Sequence, residues 1–176
     1  MKKYDFFIAG RARNKESILK ICDLFDKYNN INHYPIFVTS IDQEAMIAIF
    51  TSNENDGSTN ISYYCFLKNE DDWGYGNKNQ TPEEKQQEFE SLGLKSDVVL
   101  NLFHNDLEGE KNSKNLLLVL PAGKAAHIEA GIAYGLGKKC YAIGEYEATD
   151  TLYNIFQEIF SNEDDLEQFL KEYSNI

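Results

Sequence analysis

The sequence predicts an α/β protein, one domain over residues 1–176 built around a mostly parallel sheet. Two observations carry this. "NLLLVLP" (Asn115–Pro121) is apolar on both faces of an extended chain, as the centre of a parallel sheet requires. Along the rest of the chain, segments of strand character alternate with segments of helical spacing, which is the order of βαβ units.

Tyr4–Ala9 reads as the first buried strand, stopped by Gly10. "KESILKICDLFDKY" follows as a helix, with Ile18, Ile21, Cys22 and Phe25 on one face. "HYPIFVTS" reads as a second strand, near an edge because of Pro35. Ser40 and Gln43 form a capping box for a short helix. "ISYYCFL" has strand character between the polar turn "SNENDGSTN" and the loop "KNEDDWGYGNKNQ". Thr81, Pro82 and Glu84 supply the cap, first-turn proline and reciprocal carboxylate of a helix running to Leu92, with Gly93 as its stop.

A further helix starts near Ser96 and carries Val99, Leu102 and Phe103 on one face. After the central strand, a helix over Ala125–Leu136 ends at Gly137, and "KCYAIG" forms the next strand. "TLYNIFQEIF" places Leu152, Ile155, Phe156 and Ile159 at helical offsets, which predicts an amphipathic helix. The acidic tail "SNEDDLEQFLKEY" begins with a cap and predicts a last docked helix.

Composition narrows the function. A net charge of −12 and a pI near 4.6 argue against a nucleic-acid surface, which needs clustered Lys and Arg, and against anionic membranes. A phosphorylated small molecule stays open, because backbone amides at a helix start hold phosphate without side-chain charge. The start "MKKYDFFIAG" has a short apolar run broken by Asp5, a strand rather than a signal peptide. No apolar stretch approaches the roughly 20 residues of a membrane span. Cys22, Cys65 and Cys140 are widely spaced and odd in number, and Cys22 and Cys140 read as reduced core residues. The expectation is a soluble cytoplasmic protein.

In open α/β sheets, ligands bind beyond the carboxyl ends of the strands. Three segments leave probable strands there: Gly10–Asn14, the loop after Val38, and Pro121–His127. Gly10 permits a close backbone approach, and Arg11 and Arg13 either reach a phosphate or carboxylate or belong to a solvated turn. Neither GxGxxG nor a P-loop is present, so no nucleotide cofactor is expected. Pro121 and Gly123 shape the exit of the central strand, and the helix behind them points its amides outward.

Glu129 lies in that helix, with Ala125, Ala126, Ile132 and Ala133 three and four positions away and no Lys or Arg among them. It is therefore either a partly desolvated carboxylate with a raised pKa or a glutamate on the helix's exposed side. His127 is two residues earlier and on another face, so the pair forms no metal site. It is a ligand-mouth residue or a surface histidine. Trp73, Tyr75, Tyr63 and Tyr64 either stack on a nucleobase or pack a loop on the body.

These residues resemble the nucleoside 2-deoxyribosyltransferase family and its relatives that hydrolyse deoxynucleoside monophosphates. Three motifs carry the resemblance: "YDFFIAGRARN" at the opening strand, "NDLEGEKN" (Asn105–Asn112), and "HIEAGIAYGLGKKCYAIG". The resemblance implies a flavodoxin-like or Rossmann-like sandwich with a sheet of about five strands, a homo-oligomer, and cleavage of an N-glycosidic bond. It makes Glu129 the nucleophile on the anomeric carbon, through an oxocarbenium-like transition state and a covalent glycosyl-enzyme. It makes Asp106 the aspartate that orients the sugar and assists proton transfer to the leaving base. Transfer to another base and hydrolysis both stay open.

The family's transferases carry another aspartate six positions before the glutamate, where this chain has Gly123. That motivates an alternative, a non-catalytic nucleotide-binding or sensing module. A continuous helix from Ser96 would also put Asp106 toward the end remote from the sheet's carboxyl edge. The Pro121-to-Glu129 spacing is also similar to that of phosphoribohydrolases of the lysine-decarboxylase-like group, which work on the same bond.

Overall fold

A computed structural model of the chain describes residues 3–29, 61–68, 82–146 and 150–174. The expected strand "HYPIFVTS", the short helix after Ser40, the loop after Val38, Thr81, and the aromatics Trp73 and Tyr75 lie outside the described residues. The described chain runs β1 (Tyr4–Ala9), α1 (Lys15–Asp26), β2 (Tyr63–Cys65), α2 (Pro82–Ser91), α3 (Asp97–Lys111), β3 (Ser113–Val119), α4 (Lys124–Gly135), β4 (Lys139–Ile143), β5 (Phe156–Phe160) and α5 (Glu163–Ser174).

The five strands form one parallel sheet in the order β2-β1-β3-β4-β5, a flavodoxin-like arrangement with β3 at its centre. Side-chain alternation explains why Phe6–Ala9, Leu116–Val119 and Cys140–Ile143 are apolar on both faces. Phe6, Ile8, Leu117, Val119, Tyr141 and Ile143 point into one cluster with Ile18, Cys22 and Phe25 of α1 and Leu166 and Leu170 of α5. Phe7, Ala9, Leu116, Leu118, Cys140 and Ala142 point into the opposite cluster with Ala126, Ala130 and Ala133 of α4. Each fully buried Phe, Leu or Ile here contributes about 1.5–3 kcal/mol of transfer free energy. The three alanines, spaced four and three residues apart, instead let α4 lie close to the sheet.

Local signals set the element ends. The Ser96 side chain accepts from the Val99 amide at 3.4 Å and starts α3. Gly137, at φ +73°, ends the turn after α4 in the left-handed region that glycine tolerates. Asn162 Oδ1 accepts from the Asp165 amide at 3.0 Å and caps α5. All three cysteines are buried free thiols. No described helix is long and apolar enough to cross a membrane.

One expectation is corrected. "TLYNIFQEIF" is not an amphipathic helix: Thr151–Ile155 is a 3₁₀ turn capped by the Asp150 carboxylate, and Phe156–Phe160 is β5. The helical spacing was incidental, since Leu152 is 74% exposed while Ile155, Phe156 and Ile159 pack on the sheet. Extended chain there satisfies the backbone groups of β4, pairing Cys140 with Phe156 and Ile143 with Phe160. On the Val99–Leu102–Phe103 face of α3, Val99 and Leu102 are half-buried and Phe103 is 52% exposed, while the helix fully buries Gly109 and Glu110.

Candidate active site

The exits of β1 and β3 meet where the strand order reverses, the point at which such sheets open a crevice. Asn14 Nδ2 donates to the Leu120 carbonyl at 3.4 Å, tying the first exit to the second. The Leu120–Pro121 peptide is cis, and the extended Gly123 precedes α4 with no side-chain cap. A Cβ on Gly123 would lie 3.5 Å from Arg11 Cγ, and its nearest neighbours are all Arg11 atoms. Gly10 accommodates the start of α1, since a Cβ there would come within 2.6 Å of Ile18 Cδ1. Gly10, Arg11, Pro121 and Gly123 thus share one edge of the sheet, with Arg11 and Arg13 both exposed.

His127 belongs to the flank of α4 that faces the turn before β5. Its Nδ1 contacts the Gly123 carbonyl at 2.8 Å, so this nitrogen carries the proton and donates. Its Nε2 lies 3.0 Å from the Tyr153 hydroxyl, and Tyr153 stacks on Tyr146 with ring centroids 5.4 Å apart. His127 therefore pins the α4 entrance to the β5 side.

Glu129 looks the other way. Next to it, Ala126 and Ala130 face the sheet, which leaves the half-buried Glu129 carboxyl on the side of α4 nearest α3. Burial pushes this carboxyl up to about 8, and the charges of Asp106 and Glu110 push in the same direction. Across the seam, Asp106 and Glu110 are four residues apart and share one face of α3. Glu110 is 1% exposed, and burial raises it to about 7 despite the opposing charge of Lys138, with Asp106 adding to the rise. Lys138 Nζ donates to the carbonyl oxygens of Glu110, Lys111 and Ser113, closing the end of α3.

Asp106 is held from the sheet side. The Tyr64 hydroxyl donates to its Oδ1 at 3.5 Å, while the Tyr64 ring stacks on Phe7 at 5.4 Å. That ring fits because position 109 is glycine: a Cβ there would sit 2.9 Å from Tyr64 Cδ1 and Cε1. The glycine of the Asn-Asp-Leu-x-Gly segment is thus a close-approach residue for the tyrosine that reaches its aspartate. Gly109→Ala is expected to cost about 1–3 kcal/mol by forcing a packed ring aside. Denaturant unfolding measures this, and an unchanged midpoint would show that the ring yields freely.

Of the residues singled out from sequence, the structure brings Glu129 within electrostatic reach of Asp106. Helix α3 is continuous, so Asp106 does lie nearer its far end, and Glu129, one and a half turns into α4, lies alongside. His127 is not part of this carboxyl group. Tyr63 and Tyr64 are buried β2 residues, so neither is free to cover a base. Sequence reasoning missed Glu110, although its offset of four from Asp106 was the available signal. Among the described residues, no group of three or more His, Cys, Asp or Glu is placed to hold a metal ion. Compared with known proteins, the chain matches no protein-family model and no curated sequence.

Proposed function

We propose that this protein is an enzyme acting on the N-glycosidic bond of a nucleoside or nucleoside monophosphate, with Glu129 as nucleophile. The observation that carries the reading is a half-buried carboxyl opposite Asp106, on the helix that opens at the β1–β3 crevice. The motif resemblance supports the same assignment of roles. In the anionic form, Glu129 attacks the anomeric carbon as the bond from that carbon to the base nitrogen breaks. Asp106 carries the proton that leaves with the base. The glycosyl ester on Glu129 is then opened by water in hydrolysis, or by another base in transfer.

Arg11 and the first amides of α4 suit a 5′-phosphate at the crevice. The exposed Ile128 and Tyr134 of α4 and Leu136 just after it suit contact with a second copy of the chain in a cytoplasmic homo-oligomer. The test is incubation with a panel of nucleosides and their monophosphates, with and without a free acceptor base. Base release or exchange is expected, with Arg11→Ala raising KM for monophosphates selectively. Release of no base from any member would defeat the enzymatic reading.

One observation favours a second reading, nucleotide binding without turnover. Position 123, where the resembling transferases keep an acid, is a glycine packed under Arg11. This reading expects calorimetric binding of a monophosphate, no turnover, and little change in affinity on Glu129→Gln.

A further inference from the structure

Cys22 of α1 and Cys65 of β2 are buried free thiols in the same core cluster, on the face of the sheet opposite to α4. Printed contacts on either side set them against each other. Helix α1 runs back along β2: the Ile61 amide donates to the Tyr28 carbonyl at 3.0 Å, and the Tyr63 hydroxyl donates to Asp26 Oδ1 at 2.6 Å. Two residues onward in β2 is a step of roughly 6.6 Å, and four residues back in α1 is a step of about 6 Å, so Cys65 arrives opposite Cys22. Past Cys65 the chain turns through Phe66–Lys68 and closes over α1, with Lys68 Nζ 3.2 Å from Asp26 Oδ2 and 3.7 Å from Asp23 Oδ1. The two thiols are hydrogen-bonded, Cys22 donating to Cys65.

The two sulfurs are unequal. The hydrogen bond from Cys22 lowers the Cys65 thiol; burial opposes this, while the Leu67 and Lys68 amides and the Lys68 ammonium lower it further. The same bond, together with burial, raises Cys22. Cys65 is thus the sulfur that carries negative charge, and Cys22 the protonated partner beside it. Cys140 is remote from both. It lies in the opposite cluster, its thiol directed at the Ala130 carbonyl 3.8 Å away and pushed up to about 11 by burial.

We propose that Cys22 and Cys65 form a redox site that a hydroperoxide closes to a disulfide joining α1 to β2. The Cys65 thiolate attacks a peroxide oxygen, the O–O bond breaks, and Cys65 becomes a sulfenic acid as hydroxide leaves. The Cys22 sulfur gives up its proton to that hydroxide, forming water, and attacks the Cys65 sulfur. The S–O bond breaks, and its oxygen leaves as a second water once protonated by solvent, which restores the proton that the Cys65 thiol first released. The two thiols lose two electrons, and one hydrogen peroxide becomes two waters. Strand β2 ends the described sheet and Cys65 is 4% exposed, so the attacking sulfur lies at the sheet's margin, where an oxidant little larger than water suits it. This chemistry is on the far face of the sheet from α4 and does not depend on the N-glycosidic reading.

Treatment of the whole folded chain with hydrogen peroxide, then alkylation and non-reducing peptide mapping, tests the site. The expected map joins the Cys22 peptide to the Cys65 peptide, leaves Cys140 alkylated, and returns to three alkylated cysteines after dithiothreitol. Three free thiols after a dose that oxidises the urea-unfolded chain would overturn the proposal. So would Cys65 found as the sulfinic acid beside an intact Cys22. Two variants read the order of attack. In Cys22→Ala, Cys65 is expected to stop at the sulfenic acid and be captured by dimedone. In Cys65→Ala, Cys22 is expected to react on the order of tenfold more slowly than Cys65 does in the wild type, because it is the protonated partner. Oxidation of Cys22 at an undiminished rate there removes Cys65 as the attacking sulfur. The wild-type map decides the pairing even where neither variant folds.

Discussion

Glu129→Gln is expected to reduce base release on the order of 10³-fold or more, with KM little changed. The amide is nearly isosteric and keeps the packing of α4 against α3, but it has no anionic oxygen to form the glycosyl ester. Because the side chain is only half-buried and its neighbours on the sheet side are Ala126 and Ala130, the fold should tolerate the change. Single-turnover measurements on the best substrate of the panel read the effect directly, and mass spectrometry of the wild type should find the glycosyl adduct on the peptide carrying Glu129. A variant that turns over at the wild-type rate would remove Glu129 from the chemistry.

The stability of the protein is expected to fall as pH rises through the neutral range, the reverse of most acidic proteins. The Glu129 carboxyl rises from 4.5 to about 8 on folding, and Glu110 from 4.5 to about 7. Between those values the folded chain binds protons that the unfolded chain has lost. The stabilisation is therefore complete below about pH 4.5 and is lost as pH rises through about 7 for Glu110 and about 8 for Glu129. At roughly 1.4 kcal/mol for each pH unit separating the folded and unfolded values, the loss across this window is on the order of several kcal/mol.

Glu129→Gln removes its share, so the variant should be more stable than the wild type at pH 8.5 by on the order of a few kcal/mol. Denaturant titrations at pH 5 and 8.5 check this. Parallel pH profiles for the two proteins would mean that Glu129 is solvated and titrates normally.

Periodicity and end signals made most of the fold legible. Phe6–Ala9 and Leu116–Leu120 are apolar on both faces of the pleat because both are covered, and a run so short and uniform suits a central strand. Ser96, Gly137 and the cap before the last helix marked helix ends because capping is local chemistry. "TLYNIFQEIF" misled because its apolar residues satisfy a helical period, whereas the open edge of β4 needed a backbone partner. That need is visible only once the sheet exists.

The candidate site divides along the same line. By itself the sequence determined an α/β order, a glutamate without a cation at helical distance, and the motifs that resemble an N-glycosidic family. The offset of four that puts Glu110 on the Asp106 face of α3 is also a local property of the sequence, although only Asp106 is singled out there. Only the tertiary structure decided that this face meets Glu129, that His127 turns away toward Tyr153, and that Gly109 admits the Tyr64 ring to Asp106. The physical reason is that burial and through-space charge depend on which helices the sheet sets side by side. That choice is made by strand order, which no stretch of sequence encodes on its own.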